Sequence, residues 1–326
     1  MKTLSIIVTD MGFIVPSMFL AKQLSSSRFR HLTDVMVFML DAPAAFADKL
    51  RDEFSSFGIG MKLVSIDDLG IPPDYLRYFK GHVPLAALAR LGISRNIPAR
   101  YENIIYFDGD MQIVGDIEPL LRFQPPEGRI AAGVENFVMI EEADGTGPEW
   151  LETYLDSLGL DRAASYFNSG LMLFRRSTWE EIAPKALEYF LANPEKCRHH
   201  DQSCLNAVCA GSWLPVSPAY NYLTFFLKMG GLDQLKPKVA HFASSPKPWQ
   251  SGESLWHPRY AESYRQFQHC HPLLSDKLSV YDRELAPSFL ERSFRNVKIK
   301  AGAATKRRNL VKNFRRYMRE SEFVVV

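Results

Sequence analysis

Short apolar runs alternate with stretches of helical periodicity over the first hundred residues. The apolar runs have no helical period and are rich in β-branched residues, which is typical of buried strands. The predicted strands are residues 4–8, 34–40 and 61–66, and the predicted helices are residues 16–26, 43–57 and 81–91. This βαβ order predicts an α/β unit of the kind that binds nucleotides where a strand ends.

The stretch NIIYFDGDMQI at residues 103–113 joins a fourth apolar strand to a pair of carboxylates. Side chains at positions i and i+2 of an extended chain project to the same side, so Asp108 and Asp110 can reach one point. Gly109 lets a partner approach the backbone closely. Two adjacent carboxylates repel unless a cation lies between them, which indicates a divalent metal that also grips a diphosphate. The alternative is an Asp-Gly turn that closes a hairpin onto residues 111–114, and this segment alone leaves both open.

Composition fits a globular enzyme, since 46% of the 326 residues are hydrophobic and 23% are charged. The four cysteines form no CxxC pair, which favours a reducing compartment and hence the cytoplasm. The first apolar run ends at Thr9 and Asp10, short of signal-peptide length, and no stretch reaches the length of a transmembrane helix. Neither GxGxxG nor GxxxxGK[ST] occurs, so a dinucleotide site and a P-loop are not predicted.

A basic tail ends the sequence. Residues 292–319 contain eleven of the 39 Lys and Arg residues and no Asp or Glu, so the rest of the chain is net acidic. Apolar residues recur on one helical face of this tail at Leu310, Val311, Phe314, Tyr317 and Met318. We predict a basic amphipathic helix that lies on an anionic membrane surface. Nucleic acid competes as a partner, but the apolar face favours lipid. A helix docked on the body through its apolar face is the remaining alternative.

Beyond residue 110, polar residues recur beside predicted strands and helices. Residues 141–150 are polar and aperiodic, which predicts a long binding loop. Asn168 lies in an Asn-Ser-Gly corner before an apolar strand, where it can contact sugar hydroxyls or start an Asx turn. Asp201 precedes a helix predicted over residues 203–210 and is a typical N-cap.

His241 ends a further short apolar strand, and Lys247 follows in a turn between two prolines. A histidine at a strand end can bind a metal, and a lysine held nearby can meet phosphate charge. Cys197, Cys204 and Cys209 lie near two histidines, but no usual zinc-ligand spacing is present, so zinc is the weaker hypothesis.

Six segments in this order resemble glycosyltransferase family 8, the retaining enzymes that include bacterial lipopolysaccharide galactosyl- and glucosyltransferases and the glycogenins. The segments are Thr9-Asp10, Ala89-Arg90-Leu91, YFDGD at 106–110, FNSG at 167–170, DQSCLN at 201–206 and HFASSPKPW at 241–249. The resemblance implies a GT-A fold, an α/β Rossmann-like sheet that is mixed, mostly parallel and flanked by helices. It implies one domain over 1–285, with a nucleotide-binding half (1–110) and an acceptor and sugar half (111–285), and then the basic tail, 286–326.

The family also implies an activity: transfer of galactose or glucose from a UDP-sugar to a glycan or glycolipid acceptor in lipopolysaccharide or cell-surface polysaccharide synthesis. Asp108, Asp110 and His241 would bind Mn²⁺ or Mg²⁺, and the cation would neutralise the UDP diphosphate. Lys247 would add positive charge on the same phosphates. The protein would work in the cytoplasm, peripherally bound to the inner face of the cytoplasmic membrane, without binding nucleic acid.

The remaining roles implied by the resemblance concern the donor and the reacting centre. Thr9 and Asp10 would contact the uracil and ribose, Arg90 and Asp201 the donor sugar, and Asn168 sugar hydroxyls. Gln202 matches the position beside the anomeric carbon. Because an amide is a poor nucleophile, front-face attack by the acceptor hydroxyl is favoured over a covalent intermediate on Gln202.

The sequence departs from the family pattern at four places. Gly12 and Phe13 replace a frequent Asn-Tyr pair, Ser203 replaces the second Asp of DQD, Ser244 replaces a Gly beside the diphosphate, and Glu135 replaces an acceptor-contacting Asp. The acceptor is therefore the least defined part. Two other functions stay open: a dehalogenase-type phosphatase, whose motif also has Asp-x-Asp at a strand end, and a non-catalytic membrane-associated module that binds nucleotide or glycan.

Overall fold

One mixed sheet forms the centre of the fold. The structure is a computed structural model and describes residues 2–65, 67, 86–140, 148–229, 232, 235–281, 288, 290, 291, 297 and 304–326. Its strands are β1 (Thr3–Thr9), β2 (Thr33–Leu40), β3 (Ile59–Val64), β4 (Asn103–Phe107), β5 (Met111–Ile113), β6 (Ile130–Val134), β7 (Phe167–Arg175), β8 (Trp213–Val216), β9 (Tyr222–Leu223) and β10 (Val239–His241).

The main sheet has the strand order β3-β2-β1-β4-β7-β6-β8. Its strands run parallel except for β7, which pairs antiparallel with both β4 and β6. The predicted fold class, a mixed and mostly parallel α/β sheet flanked by helices, is confirmed. One continuous hydrophobic core contains residues from both predicted halves of the domain.

Helices connect the strands and flank the sheet. They are α1 (Ile14–Leu24), α2 (Ala44–Phe54), α3 (Ala86–Gly92), α4 (Glu118–Arg122), α5 (Phe137–Ile140), α6 (Glu149–Ser157), α7 (Arg176–Ala192), α8 (Asp201–Cys209), α9 (Thr224–Met229), α10 (Arg259–Cys270) and α11 (Ala304–Glu320). The turn from β1 into α1 is fixed by Asp10, whose Oδ1 accepts hydrogen bonds from the N–H groups of Gly12 and Phe13.

The elements predicted for the first half agree with the structure to within a few residues. The third strand begins at Ile59 rather than at residue 61, because Gly58, at φ 72°, ends the preceding 3₁₀ turn one residue earlier. Residues 81–85 of the predicted helix lie outside the described part of the chain, and α3 continues to Gly92.

A second, three-stranded sheet has the order β5-β10-β9. Because β4 belongs to the main sheet, the hairpin alternative for residues 103–114 is wrong. The chain changes sheets across the carboxylate pair: the N–H of Asp108 donates to the carbonyl of Gly170 in β7, whereas the carbonyl of Asp110 accepts from Phe242, directly after β10. The pair therefore lies where the two sheets meet.

The Asn-Ser-Gly corner was predicted to precede a strand, and this placement was wrong because the corner is part of β7, although Asn168 Oδ1 accepts from the N–H of Gly170 as in an Asx turn. The pairing of β6 with β7 shifts register between Ala132 and Gly133, which places Gly133 opposite Asn168. The polar residues remain in the strand because their side chains find buried hydrogen-bond partners there. The polarity of the Asn-Ser-Gly segment was therefore not sufficient to show that the strand begins after it.

The helix predicted over residues 203–210 begins two residues earlier, at Asp201, and its N-cap position is occupied by His200 at φ 50° and ψ −120°. The carboxylate of Asp201 makes no capping hydrogen bond, so the N-cap prediction was wrong. It accepts a hydrogen bond from Ser169 and pairs with Arg90 instead. A buried cation holds this carboxylate away from the helix end.

The loop predicted over residues 141–150 is only partly described. Residues 141–147 lie outside the described part of the chain, and residue 149 already belongs to α6. The predicted boundary between residues 285 and 286 also falls outside it.

Helix α11 of the basic tail packs against the body, as the docked-helix alternative predicts. Phe314 and Tyr317 of α11 are buried, and the other residues of the predicted apolar face pack on the main core. The Phe314 ring lies 5.5 Å from that of Phe226 in α9. Beyond the helix, Val325 forms a parallel bridge with Val216 at the edge of β8. The apolar face therefore contacts protein rather than lipid.

The outer face of α11 keeps its cations exposed. The exposed ones are Arg308, Lys312, Arg315 and Arg319. Among the described helices, none is long and apolar enough to cross a bilayer. Any contact of the outer face of α11 with a membrane would therefore depend on charge.

Candidate active site

A cavity of about 880 Å³ opens where β1 and β4 end, beside the loop that follows β10. Its lining includes every site residue predicted from the sequence except Ser244, whose neighbours Ala243 and Ser245 do line it. The predicted residues in the lining are Thr9, Asp10, Arg90, Asp108, Gly109, Asp110, Asn168, Asp201, Gln202, His241 and Lys247. Segments from six parts of the chain thus meet in one cavity.

Asp108, Asp110 and His241 form a cluster with one ligand atom each, and these three atoms lie within 4.8 Å of one another. His241 Nε2 is 3.6 Å from Asp108 Oδ2 and 3.3 Å from Asp110 Oδ1. Two carboxylate oxygens and an imidazole nitrogen suit Mn²⁺ and leave coordination positions for other ligands. Within the described part of the chain, no other group of three such residues meets this distance criterion, and the cysteine zinc site is not formed.

Asn221 orients the imidazole of His241. Its Oδ1 lies 2.7 Å from His241 Nδ1, while its Nδ2 donates to Asn168 Oδ1 at 2.9 Å. The amide oxygen therefore faces the ring and accepts the proton on Nδ1, which leaves Nε2 as the free lone pair that faces the carboxylates. Second-sphere hydrogen bonds of this kind fix the tautomer of histidines that bind metals.

Gly170 allows the cluster to close. A Cβ atom at this position would overlap His241 Cε1 and lie 2.7 Å from Asp108 Oδ2. A second glycine acts in the same way behind the carboxylates, since a Cβ on Gly109 would overlap Ser17 Oγ. Close packing against two glycines thus sets the position of the triad.

Lys247 is buried at the edge of the cluster and donates from Nζ to Asp110 Oδ2 at 2.7 Å. Burial opposes ionisation of Asp110, yet the pKa of this carboxyl is held well below its usual range, and the Lys247 ammonium is the largest cause that lowers it. Asp110 is therefore an anion at neutral pH. A lysine so close to a candidate metal site is well placed to meet phosphate charge as well.

Arg90 connects the carboxylate of Asp108 to that of Asp201. Its guanidinium is 5% exposed and reaches Asp108 Oδ1 at 2.9 Å, Asp201 Oδ2 at 3.3 Å and the carbonyl of Ser169 at 2.8 Å. Burial raises the pKa of Asp201 to about 6, although Arg90 pulls it down. Burial also raises the pKa of Tyr106 well above its usual value, so its hydroxyl stays protonated and donates to Asp108 at 2.8 Å.

Gln202 is held at both ends of its amide. Its Oε1 accepts from Asn168 Nδ2 and from the N–H of Ser169, each at 3.1 Å, and its Nε2 donates to Glu135 Oε2 at 3.1 Å. Glu135 Oε2 also accepts from Asn168 Nδ2 at 2.8 Å. The chain of hydrogen bonds thus runs from Glu135 through Asn168 and Asn221 to His241. The reacting end of the cavity is rigidly connected to the candidate metal site.

Thr9 and Asp10 line the cavity where β1 ends. The Thr9 hydroxyl accepts from Ser17 Oγ at 2.9 Å and donates to the carbonyl of Asp10. One oxygen of Asp10 fixes the turn into α1, which orients its carboxylate. These contacts hold both side chains in place at the mouth of the first βα turn.

Sequence reasoning missed three residues that shape the site: Tyr106, Gly170 as a close-packing position, and Asn221. Tyr106 was assigned to the strand core, and only its position two residues before Asp108, on the same side of the strand, indicates the contact. Asn221 lies in an aromatic stretch, PAYNYL, with no motif around it. A single amide of this kind gains its role from tertiary structure alone.

Comparison with known proteins agrees with this geometry. The model of the family described as "Glycosyl transferase family 8" matches residues 7–253. General stress protein A of Bacillus subtilis (strain 168) is 24% identical over 250 residues, which cover 71% of this chain and 81% of the relative. The lipopolysaccharide glucosyltransferase WaaO of Escherichia coli (strain K12) is 26% identical over 180 residues, which cover 52% of this chain and 50% of WaaO.

Among solved structures, the fold is similar to that of a galactosyltransferase, LgtC, in complex with donor and acceptor sugar analogues. The superposition has a TM-score of 0.63 and covers 86% of this chain and 98% of LgtC, at 16% sequence identity. At this identity the likeness supports the GT-A fold. The match to WaaO spans half of that protein.

Proposed function

The chain belongs to glycosyl transferase family 8, and from this membership we propose that it is a metal-dependent retaining glycosyltransferase that transfers galactose or glucose from a UDP-sugar. The acceptor is a glycan or glycolipid of lipopolysaccharide or another cell-surface polysaccharide. The names of WaaO, a glucosyltransferase, and LgtC, a galactosyltransferase, support the choice of hexose.

The observation on which this proposal mainly depends is the cluster of Asp108, Asp110 and His241 inside a cavity large enough for a nucleotide sugar. Its fit to a divalent cation rests on the ring of His241, since the hydrogen bond to Asn221 directs Nε2 at both carboxylates. These three residues would hold Mn²⁺ or Mg²⁺. A bound divalent cation supplies Lewis-acid neutralisation of the diphosphate leaving group.

The other predicted residues are assigned as follows. Lys247 places positive charge on the phosphates, and Gly109 and Ser244 lie along the diphosphate. Thr9 and Asp10 contact the uracil and ribose, Arg90 and Asp201 position the donor sugar, and Asn168 binds sugar hydroxyls. The first half, residues 1–110, thus binds the nucleotide, and residues 111–285 bind the sugar and acceptor.

Gln202 is proposed to lie beside the anomeric carbon without attacking it. Both lone pairs of its Oε1 already accept hydrogen bonds, which supports front-face attack over a covalent intermediate. In this step the acceptor hydroxyl oxygen bonds to the anomeric carbon as the bond to the UDP phosphate oxygen breaks. The hydroxyl proton passes to the departing phosphate oxygen, and the anomeric configuration is retained.

A thermal-shift screen tests donor binding. UDP-glucose and UDP-galactose should raise the melting temperature in the presence of MnCl₂ and much less in EDTA, because a ligand that binds only the folded state stabilises it. GDP-mannose serves as the matched control and should give no shift. Equal responses to all three nucleotides, or none to either UDP-sugar, would contradict the donor assignment. UDP binding without any turnover would instead favour the non-catalytic module.

We also propose peripheral attachment to the cytoplasmic membrane through the basic tail. Because the apolar face of α11 packs on the body, attachment depends on the exposed cations of its outer face. Each such cation contributes on the order of 1 kcal/mol near an anionic surface. Binding should therefore be electrostatic and weaken with salt.

Replacing the four exposed cations Arg308, Lys312, Arg315 and Arg319 with Gln is expected to weaken binding to phosphatidylglycerol-containing vesicles by at least about a hundred-fold. Co-sedimentation with vesicles measures the effect, and UDP binding should not change. The matched control replaces four exposed cations elsewhere, Lys49, Arg122, Arg162 and Lys185. Equal vesicle binding by the wild type and the tail variant would refute attachment through this face.

A further inference from the structure

Arg198 lines the cavity three residues before Asp201 and has an exposed side chain. Within the described part of the chain, its guanidinium makes no ion pair and no hydrogen bond. The two other strong cations in the lining are differently placed, since Arg90 pairs with two carboxylates and Lys247 with one. Arg198 therefore brings to the cavity a positive charge that no described carboxylate pairs with.

The position of Arg198 is fixed by the aromatic ring of Tyr154 in α6. The guanidinium carbon lies 5.3 Å from the centre of this ring, which is a cation–π distance. The Tyr154 hydroxyl is 2.8 Å from Ser203 Oγ, and that oxygen also accepts the N–H of His199 at 2.8 Å. Arg198 is thus attached to the first turn of α8, the turn that contains Gln202.

Among the described residues around Gln202, no carboxylate pairs with Arg198. The nearby carboxylate of Glu135 is engaged by other donors: Oε1 accepts from the N–H of Asn136, and Oε2 accepts from Asn168 and Gln202. Ser203 is neutral. A guanidinium fork that is stacked on one face and free at its edge is suited to bidentate binding of a phosphate or carboxylate.

We propose that Arg198 is a specificity residue that selects acceptors bearing an anionic group, a phosphate or a carboxylate, near the hydroxyl that receives the hexose. The inference rests on the proposed function, because it takes the donor diphosphate to lie with Lys247 and the Asp108, Asp110 and His241 cluster. The anion at Arg198 is then a second one, on the acceptor. Neutral sugars do not use this contact.

Calorimetric titration of the UDP- and Mn²⁺-loaded protein tests the inference with three matched sugars. These are galactose, galactose 6-phosphate and galacturonic acid, so the effect of a phosphate and that of a carboxylate are measured separately. At least one charged sugar should bind about ten- to a hundred-fold more tightly than galactose, the range expected for a charge-assisted hydrogen bond. Arg198→Gln should remove this advantage, and Arg198→Lys should retain part of it.

Arg162→Gln is the matched control, because Arg162 is exposed and lies outside the cavity lining. It should keep the full preference for the charged sugar. Arg162→Gln should also leave UDP affinity and the hydrolysis of the UDP-hexose by water unchanged.

The inference would be overturned if all three sugars bound equally, or if none of them bound. It would also be overturned if the preference for a charged sugar survived Arg198→Gln. Loss of UDP affinity in Arg198→Gln would overturn it as well, because that result would place Arg198 on the donor. Failure of the wild type to bind UDP at all would count against the proposed function instead. The two failures are therefore distinguishable.

Discussion

Asp110→Asn is expected to lower kcat/KM for transfer from the UDP-hexose by about a thousand-fold, the scale of removing a preorganised charge from a reacting centre. Asp110 contributes one oxygen to the candidate metal site and pairs with Lys247 through the other. The substitution removes the anion, so it weakens metal binding and leaves Lys247 without its carboxylate. Calorimetric titration with Mn²⁺ and a UDP-release assay measure the two effects.

Asp116→Asn is the matched control, because Asp116 pairs with Arg28 on the surface. It should alter neither Mn²⁺ affinity nor activity. Circular dichroism of both variants separates loss of the site from loss of the fold. Activity of Asp110→Asn within about ten-fold of the wild type, with unchanged Mn²⁺ affinity, would show that Asp110 has no role in catalysis.

Arg90→Ala is expected to lower the free energy of unfolding by about 3 kcal/mol at pH 8. Arg90 and the side chain of Asp201 are each 5% exposed, and removing the guanidinium leaves a buried carboxylate unpaired. Urea denaturation measures the change. Arg122→Ala provides the control, since Arg122 forms a surface pair with Glu118 and should cost less than about 1 kcal/mol.

The loss of unfolding free energy caused by Arg90→Ala should be smaller at low pH. The pKa of Asp201 is about 6 in the folded protein and above its ordinary value, so the folded state binds this proton more tightly than the unfolded chain does. Asp201 therefore costs stability as pH rises through 6, and the loss of Arg90 raises that pKa further. At pH 5 Asp201 is largely protonated with or without Arg90. A deficit that does not change between pH 5 and pH 8 would show that Asp201 is not the group left unpaired.

Strand ends were the most predictable feature of the site. Asp108 and Asp110 follow an apolar run in which β-branched and aromatic residues leave no helical alternative, so local sequence determined both the strand and the position of the carboxylates. The turn after Asp108 could equally have led into a hairpin. Pairing of β5 with β10, more than a hundred residues later, decides between the two, and such long-range pairing has no local signal.

Residues whose partners come from distant segments could not be predicted from local sequence. Asp201 has the composition and position of an N-cap, yet Arg90, which is buried against it, determines its orientation. Asn221 is one polar residue between two tyrosines, and its role exists only because His241 lies beside it. His241 itself was identified as a possible metal ligand from its position at the end of a short apolar strand, and the resemblance to the family then assigned it to the same cation as the two aspartates.

The basic tail shows a different limit of prediction from sequence. The spacing of Leu310, Phe314 and Tyr317 specifies an apolar helical face, but the same face can meet lipid or protein. Phe226 and the edge of β8 provide a protein surface for it. The amphipathic pattern therefore predicted the helix correctly, whereas the expectation that its apolar face meets lipid was wrong.

The most direct test of the central claim is proton NMR of UDP-galactose and UDP-glucose incubated with the protein and MgCl₂, whose diamagnetic cation leaves the proton signals sharp. Water can replace the unknown acceptor, so the first-formed anomer of the released hexose can be observed before mutarotation. The account predicts metal-dependent release of UDP, with the α-anomer of the hexose appearing first. Release of the β-anomer first, or release that continues undiminished in EDTA, would contradict a metal-dependent retaining glycosyltransferase.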